Sequence, residues 1–283
     1  MKAKTMLWMI VLLMLPVIAH AQNQNELIQS LYIKSGIDKQ VRQLPLLIRS
    51  SVVQALEKDD RINGLPRHTK TAISGSVQES FSPERIKKTI IKKINASMTV
   101  KDLDNVLNWL DSPLGKKCTR LEDAASTPEI LSDVKKFATR LKQAPPADRR
   151  LNILRKLDAA VKATETNVEI AMNTQIAVAY AVVQSLPREQ QGSLKDIAAQ
   201  LEKNRPQIEA VMKSQTLLFA LYIYRDLTNA ELEKYIRFAL SPSGIKYHGA
   251  TISGFKKALL DGSLKWGQSI AGILNQSGHQ SDI

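Results

Sequence analysis

Residues 99–117 of this chain have the sequence TVKDLDNVLNWLDSPLGKK, and residues 228–246 repeat the pattern as TNAELEKYIRFALSPSGIK. The offset is 129 residues, and six of the nineteen positions are identical, where about one identity is expected from average residue usage. Both stretches begin with Thr and carry Asp or Glu three residues later, which is the capping box of a helix start. Apolar residues at helical spacing follow in both. The chain is therefore predicted to be all-α and to consist of two related multi-helix halves.

Each stretch contains a Ser-Pro step, at Ser112-Pro113 and at Ser241-Pro242. Ser112 could cap a new helix with Pro113 at its first position, where the missing N–H costs nothing. Alternatively, one helix continues through the step and kinks at the proline. Apolar positions keep their phase across the first step, which favours a kinked, nearly continuous helix. Gly115 is expected to let a neighbouring backbone approach closely.

The motif consists of an aromatic residue, two further residues and then S-P-x-G-x-K. It resembles the motif of the bacterial exported domain-of-unknown-function family 2059. Leu110 and Ala239 stand where members of that family usually have a second aromatic residue. The resemblance implies an all-helical exported protein with no assigned reaction. It is carried by Trp109, Ser112, Pro113, Gly115 and Lys117, and again by Phe238, Ser241, Pro242, Gly244 and Lys246.

A second pair of segments supports a duplicated unit. Residues 51–56 have the sequence SVVQAL, and residues 181–186 have the sequence AVVQSL at an offset of 130. The sequence APPAD at 144–148 is the clearest break in the chain, with basic residues on both sides. We expect a signal peptide at 1–21, a first helical repeat at 22–143, a Pro-rich linker at 144–148, a second helical repeat at 149–276 and a frayed tail at 277–283.

The first 21 residues have the features of a secretory signal peptide. Lys2 and Lys4 precede an apolar run from Met6 to Ile18, and Ala19-His20-Ala21 forms an A-x-A cleavage site. The run is short for a membrane span, and later apolar stretches are shorter still. We expect cleavage, a periplasmic location in a Gram-negative type of envelope, and no transmembrane segment in the remaining chain.

The chain is basic, with a formal net charge of +13, of which Lys2 and Lys4 contribute two charges. Nucleic acid is an improbable partner, because an exported protein without a basic run interleaved with aromatic residues does not fit that class. Cys118 is the single cysteine, so no disulfide can form within the chain. It lies on the apolar stripe of its helix, as either a small buried hydrophobic residue or a reactive thiol.

Motifs for catalysis or metal binding are missing from the sequence. The histidines after the leader are His68, His248 and His279, and none has metal-ligand spacing with another histidine or with Cys118. Phosphate-loop, dinucleotide-binding, nucleophile-elbow and zinc-protease patterns do not occur either. We therefore expect no metal, no cofactor and no enzymatic activity.

Lysines provide the candidate binding residues. Residues 84–98 predict a helix with an isoleucine stripe flanked by basic side chains, which suits either an anionic surface or a core helix with a solvated rim. The lysine of each Ser-Pro motif either faces a ligand or belongs to a packing device. These candidates are Lys87, Lys88, Lys92 and Lys93 in the basic helix, and Lys117 and Lys246 in the motifs.

Two functions follow as predictions from this pattern. The first is a non-enzymatic periplasmic interaction or scaffold protein, whose basic helix contacts an anionic envelope component or an acidic partner protein. The alternative is a carrier of an apolar small molecule or lipid, held in a cavity between helices of the two halves.

Overall fold

The computed structural model of the chain describes residues 23–58, 65–127, 129–184 and 194–279. Within these ranges the regular secondary structure is helical throughout, which confirms the all-α prediction. The helices are α1 (23–34), α2 (Ile37–Lys58), α3 (Arg67–Ser80), α4 (Pro83–Ser97), α5 (Val100–Asp111), α6 (Pro113–Ala124), α7 (Ile130–Gln143), α8 (Asp148–Val161), α9 (Ala163–Gln184), α10 (Leu194–Glu202), α11 (Arg205–Ile223), α12 (Asn229–Ala239) and α13 (Pro242–His279).

The first hydrophobic core joins helices from both ends of the chain. Apolar side chains of α1 to α5 form this core together with the long helix α13, which contacts α3, α4 and α5 directly. Gly254 permits this packing, because a Cβ on it would lie 2.7 Å from the Cα of Ile90 on α4. The indole of Trp266 on α13 donates a hydrogen bond to the carbonyl oxygen of Ile73 on α3. The residues that α13 buries in this core are Tyr247, Ala250, Ala258, Leu259, Trp266 and Ile270.

The second core consists mainly of helices from the second half and also includes side chains from the first half. It is formed by α8, α11 and α12, together with Cys118 of α6 and partly buried side chains of α7. Leu154 and Leu232 are fully buried at its centre. The two cores therefore do not coincide with the two halves expected from the repeat at 22–143 and 149–276.

The Ser-Pro steps are the points where the chain passes from one core to the other. Helix α5 belongs to the first core and contributes Leu103, while α6 contributes Cys118 to the second. In the other copy, α12 contributes Leu232 to the second core and α13 returns to the first with Tyr247. Each half thus exchanges the segment after its Ser-Pro step with the other half.

The expectation of one kinked helix through Ser112 is wrong. Ser112 has an extended backbone, with φ −65° and ψ 155°, and it separates α5 from α6. The ring of Pro113 disfavours the helical conformation for the residue before it, which ends α5. The Ser112 hydroxyl then accepts a hydrogen bond from the Gly115 N–H at 3.0 Å and caps α6. Ser241 caps α13 in the same way.

Two helix starts match the offset of the predicted repeat. Helix α12 begins 129 residues after α5, and α13 begins 129 residues after α6. The connection between α7 and α8 is non-helical at 144–147, inside the expected linker. Residues 185–186 of the second repeated segment lie outside the described residues. Duplication itself stays a prediction.

The C-terminal helix extends past the expected end of the second repeat at 276. Helix α13 is continuous over 38 residues and reaches His279, which lies within the expected tail at 277–283. Helix α13 packs against α4 and α9, and tertiary packing of this kind supplies most of the stability of a helix in a protein. The expected signal peptide at 1–21 and the end of the tail at 280–283 lie outside the described residues. No helix in the described ranges has the length and apolar character needed to cross a membrane.

Candidate binding surfaces and the motif junction

The two copies of the motif meet at stacked aromatic rings. The ring centroids of Trp109 and Phe238 are 4.6 Å apart, and the ring planes differ by 9°. Tyr235 also stacks on Trp109, with centroids 5.7 Å apart. Both Trp109 and Phe238 contact the first core and the second core. Residues that correspond in the two motif copies are therefore neighbours in space, where the cores join.

Two reciprocal ion pairs link the motif copies. Lys117 Nζ lies 2.8 Å from Glu231 Oε1, and Lys246 Nζ lies 2.7 Å from Asp102 Oδ2. Each carboxylate also completes the capping box at the start of its own helix. The hydrogen bond from Lys246 holds the pKa of Asp102 well below its usual range, and the one from Lys117 lowers the pKa of Glu231 to about 2. Lys117 and Lys246 thus serve contacts within the chain. We call these two ion pairs and the Trp109–Phe238 stack the motif junction.

The motif glycines allow each Ser-Pro step to turn tightly. A Cβ on Gly115 would collide with the carbonyl oxygen of Trp109, and a Cβ on Gly244 would collide with that of Phe238. Only glycine fits where the new helix starts against the last turn of the preceding one. This supports the interpretation of S-P-x-G-x-K as a packing device.

Helix α4 carries the predicted basic side chains on a rim around a buried stripe. Ile86, Ile90 and Ile94 are buried in the first core, so the helix is a core helix with a solvated basic rim. Arg85 donates to the carbonyl oxygens of Glu79 and Ser80 at the end of α3. Arg85 therefore stabilises the connection between α3 and α4.

The four lysines of α4 differ in their environments. Lys87 is partly buried, and its Nζ lies 5.2 Å from the centroid of the Tyr32 ring. The other three are exposed, and no acidic side chain in the described ranges forms an ion pair with them. We call Lys88, Lys92 and Lys93 the α4 basic face.

Glu122 and Cys118 of α6 lie among tyrosines in the second core. The hydroxyls of Tyr224 and Tyr235 donate to Glu122 Oε1 at 2.8 Å and 3.1 Å. Burial raises the pKa of Glu122. Burial, with the Glu122 carboxylate nearby, raises the pKa of the Cys118 thiol to about 12. The thiol is protonated at neutral pH and is a poor nucleophile, which agrees with Cys118 as a small buried hydrophobic residue.

A cavity of about 510 Å³ opens among α8, α9 and α11. Leu154 and Leu157 of α8, Ile170 of α9, and Phe219 and Ile223 of α11 contribute apolar surface to it. These helices all come from the second half, whereas the expected cavity lies between the halves. Sequence periodicity did not locate it, because periodicity identifies the inward face of one helix but not which small residues face each other across helices.

In the described ranges, no group of three or more His, Cys, Asp or Glu side chains is placed to hold a metal ion. Comparisons of the chain with protein-family models, with curated proteins and with solved structures found no match. The resemblance to domain-of-unknown-function family 2059 therefore stays a prediction, and the function has to be argued from the surfaces described above.

Proposed function

We propose that this chain is a non-enzymatic periplasmic binding protein that attaches to anionic lipid headgroups through the α4 basic face. The observation that carries the proposal is the exposure of Lys88, Lys92 and Lys93 without acidic partners in the described part of the chain. Elsewhere, many surface lysines are paired within the chain, including Lys256 with Glu165 and Lys265 with Glu79. Unpaired cations keep their full attraction for an external anion.

Helix α4 is suited to binding a lipid surface because its opposite side is packed into the first core. The isoleucine stripe of α4 is buried, so the backbone that carries the lysines is held in place by the first core. Lys88 and Lys92 are four residues apart and therefore neighbours on the helix surface. The only acidic residue of α4 is Glu84, in its first turn. Lys93 lies about 100° further around the helix from Lys92. The three cations are therefore spread over the exposed side of α4, which fits an array of headgroups better than a single acidic side chain.

The expected size of the effect follows from membrane electrostatics. Each lysine near an anionic lipid surface contributes about 1 kcal/mol. Replacement of three lysines by glutamine should therefore weaken binding by about 3 kcal/mol, which corresponds to about a hundredfold change in the dissociation constant.

The test measures co-sedimentation with vesicles of phosphatidylglycerol and phosphatidylcholine, compared with vesicles of phosphatidylcholine alone. Wild-type protein should bind the anionic vesicles at low salt and release from them at high salt, since screening shortens the range of the attraction. The variant Lys88→Gln/Lys92→Gln/Lys93→Gln should lose this binding.

A matched control removes the same charge from other helices. Lys156, Lys213 and Lys234 are exposed on α8, α11 and α12, and no acidic partner pairs with them in the described ranges. Their triple substitution by glutamine should leave vesicle binding close to wild type. Equal loss in both triple variants would show diffuse attraction by net charge and contradict a role for α4. Retention on an acidic protein column without vesicle binding would identify a protein partner instead.

A further inference from the structure

The cavity among α8, α9 and α11 has the size of a ligand site. Its volume of about 510 Å³ lies within the range of about 300–1,000 Å³ that is typical of pockets for small molecules. Leu154 and Leu157 are almost completely buried beneath it and join it to the second core.

Small side chains on facing helices leave this space open. Ala163 and Ala171 of α9 and Ala220 of α11 all line the cavity. Larger side chains at these three positions would fill the cavity.

The polar groups of the cavity indicate the charge of the ligand. Among the described residues that line it, Asp158 is the one with a charge, and its carboxylate accepts hydrogen bonds from the N–H and the hydroxyl of Thr164 at 2.7 Å and 2.6 Å. No Lys, Arg or His belongs to that described lining. An anionic ligand would meet a carboxylate and find no cation, so a neutral ligand is favoured.

Two neighbouring polar groups of the cavity lining can still hydrogen-bond to a ligand. Asn167 Nδ2 donates to Thr216 Oγ1 at 3.0 Å, and Thr216 is buried. The Thr216 hydroxyl can donate one further hydrogen bond, and the side-chain oxygen Oδ1 of Asn167 can accept one.

We infer that the α8/α9/α11 cavity binds a neutral apolar small molecule with one hydrogen-bonding group, held by Asn167 and Thr216. The site is separate from the α4 basic face, so either role can fail without the other. The ligand class comprises long-chain alcohols and similar neutral amphiphiles rather than fatty-acid anions.

The experiment uses the neutral fluorescent probe N-phenyl-1-naphthylamine. Wild-type protein should bind it saturably at one site, with enhanced fluorescence. Ala220→Trp fills the cavity and should weaken binding at least tenfold. The control is Ala210→Trp on the same helix, where the side chain is exposed and does not line the cavity. It should bind like wild type.

Circular dichroism verifies that each variant retains its helical content. If Ala220→Trp does not fold, Ala171→Leu on α9 fills the same space from the other side and replaces it in the comparison. Unsaturable probe binding, or equal affinity in wild type and a folded filled variant, would overturn the inference.

Competition tests the chemistry of the ligand. Dodecanol should displace the probe at lower concentration than dodecanoate at pH 8. The Thr216→Val variant should bind dodecanol about three- to tenfold more weakly, as expected for one lost hydrogen bond. Displacement by dodecanoate at equal or lower concentration would exclude a site for neutral ligands.

Discussion

The ring of Trp109 lies almost parallel to the ring of Phe238, with 4.6 Å between their centroids. These residues occupy the same position in the two motif copies, so corresponding residues contact each other across the molecule. Two corresponding lysines reach across to corresponding carboxylates in the same manner. This is the reciprocity of a two-fold interface between identical subunits, here formed within one chain.

The stack should be energetically coupled. Trp109→Ala and Phe238→Ala should each lower the free energy of unfolding by about 3 kcal/mol, because each partly buried ring joins both cores. The double mutant should lose less than the sum by about 1 kcal/mol, the coupling expected for an aromatic pair. The free energies of unfolding of the wild type, the two single variants and the double variant are measured by denaturant unfolding. Strict additivity would mean that the stack contributes nothing beyond burial.

The motif glycines should tolerate no side chain. Gly115→Ala and Gly244→Ala should each cost about 2 kcal/mol or more, because the new methyl group meets a carbonyl oxygen of the preceding helix. Gly249→Ala on α13 is the matched control, since a Cβ at this position would meet open space within 4 Å and alanine favours helix by about 1 kcal/mol. Thermal unfolding should shift down for the first two variants and up for the third. A stable Gly115→Ala protein would show that the step can open without cost.

Each half contributes helices to the core of the other, so we expect that neither half folds stably alone. Residues 22–143 alone lack Tyr247, Leu259 and Trp266 of the first core. Residues 144–283 alone lack Cys118 and its neighbours on α6 and α7. Each buried large apolar side chain contributes about 1.5–3 kcal/mol. Loss of the three α13 side chains therefore costs about 5–9 kcal/mol, which is comparable to the whole stability of a typical domain. Separate halves should lack cooperative unfolding by circular dichroism, and a one-to-one mixture should regain it.

A half that unfolds cooperatively by itself would contradict this exchange. The control is the same pair of fragments carrying Trp266→Ala, which removes one of the side chains that α13 places in the first core. Mixing should then restore less helical content.

The fold class and the helix starts could be predicted from the sequence because their causes are local. The capping boxes at Thr99 and Thr228 form as expected, and the isoleucine stripe of α4 is buried. At Ser112 the sequence favours a kinked helix over the break that forms, because the apolar phase continues across the step. The spacing of apolar residues shows which face of a helix is apolar. It does not show that α5, before the Ser-Pro step, and α6, after it, pack in different cores.

The candidate sites depend on contacts between distant segments, so the sequence located them only in part. Lys117 and Lys246 are as plausible as Lys88 for a binding role in the sequence, yet both find carboxylates more than 110 residues away. The α8/α9/α11 cavity arises from alanines on helices that meet only after folding. No local pattern distinguishes these alanines from those that simply favour a helix.

The Lys246–Asp102 ion pair should make stability depend on pH in the acid range. The pKa of Asp102 is lower in the folded than in the unfolded chain, so its contribution is present above pH 4 and is lost as pH falls further. Lys246→Met should cost about 1 kcal/mol at pH 6, since the lysine is half exposed, and should lose less stability than wild type between pH 5 and pH 2. Lys34→Met breaks the exposed pair with Asp111 and should have a smaller effect. Parallel pH profiles for wild type and Lys246→Met would contradict the assignment.

Glu122 should have the opposite influence, because burial raises its pKa in the folded state. An acid of this kind costs stability once the pH rises above its unfolded value near 4.3, and the cost grows until the folded carboxyl ionises. Glu122→Gln keeps an oxygen that accepts hydrogen bonds from Tyr224 and Tyr235 but cannot ionise. Its free energy of unfolding, measured in denaturant, should match wild type near pH 4 and exceed it at higher pH, with a difference that stops growing once the folded carboxyl ionises. A Glu122→Ala variant controls for the lost acceptor and should be less stable than Glu122→Gln at every pH, because it leaves two buried hydroxyls without their partner. If Glu122→Gln is instead less stable than wild type at pH 8, the ionised carboxylate itself stabilises the second core.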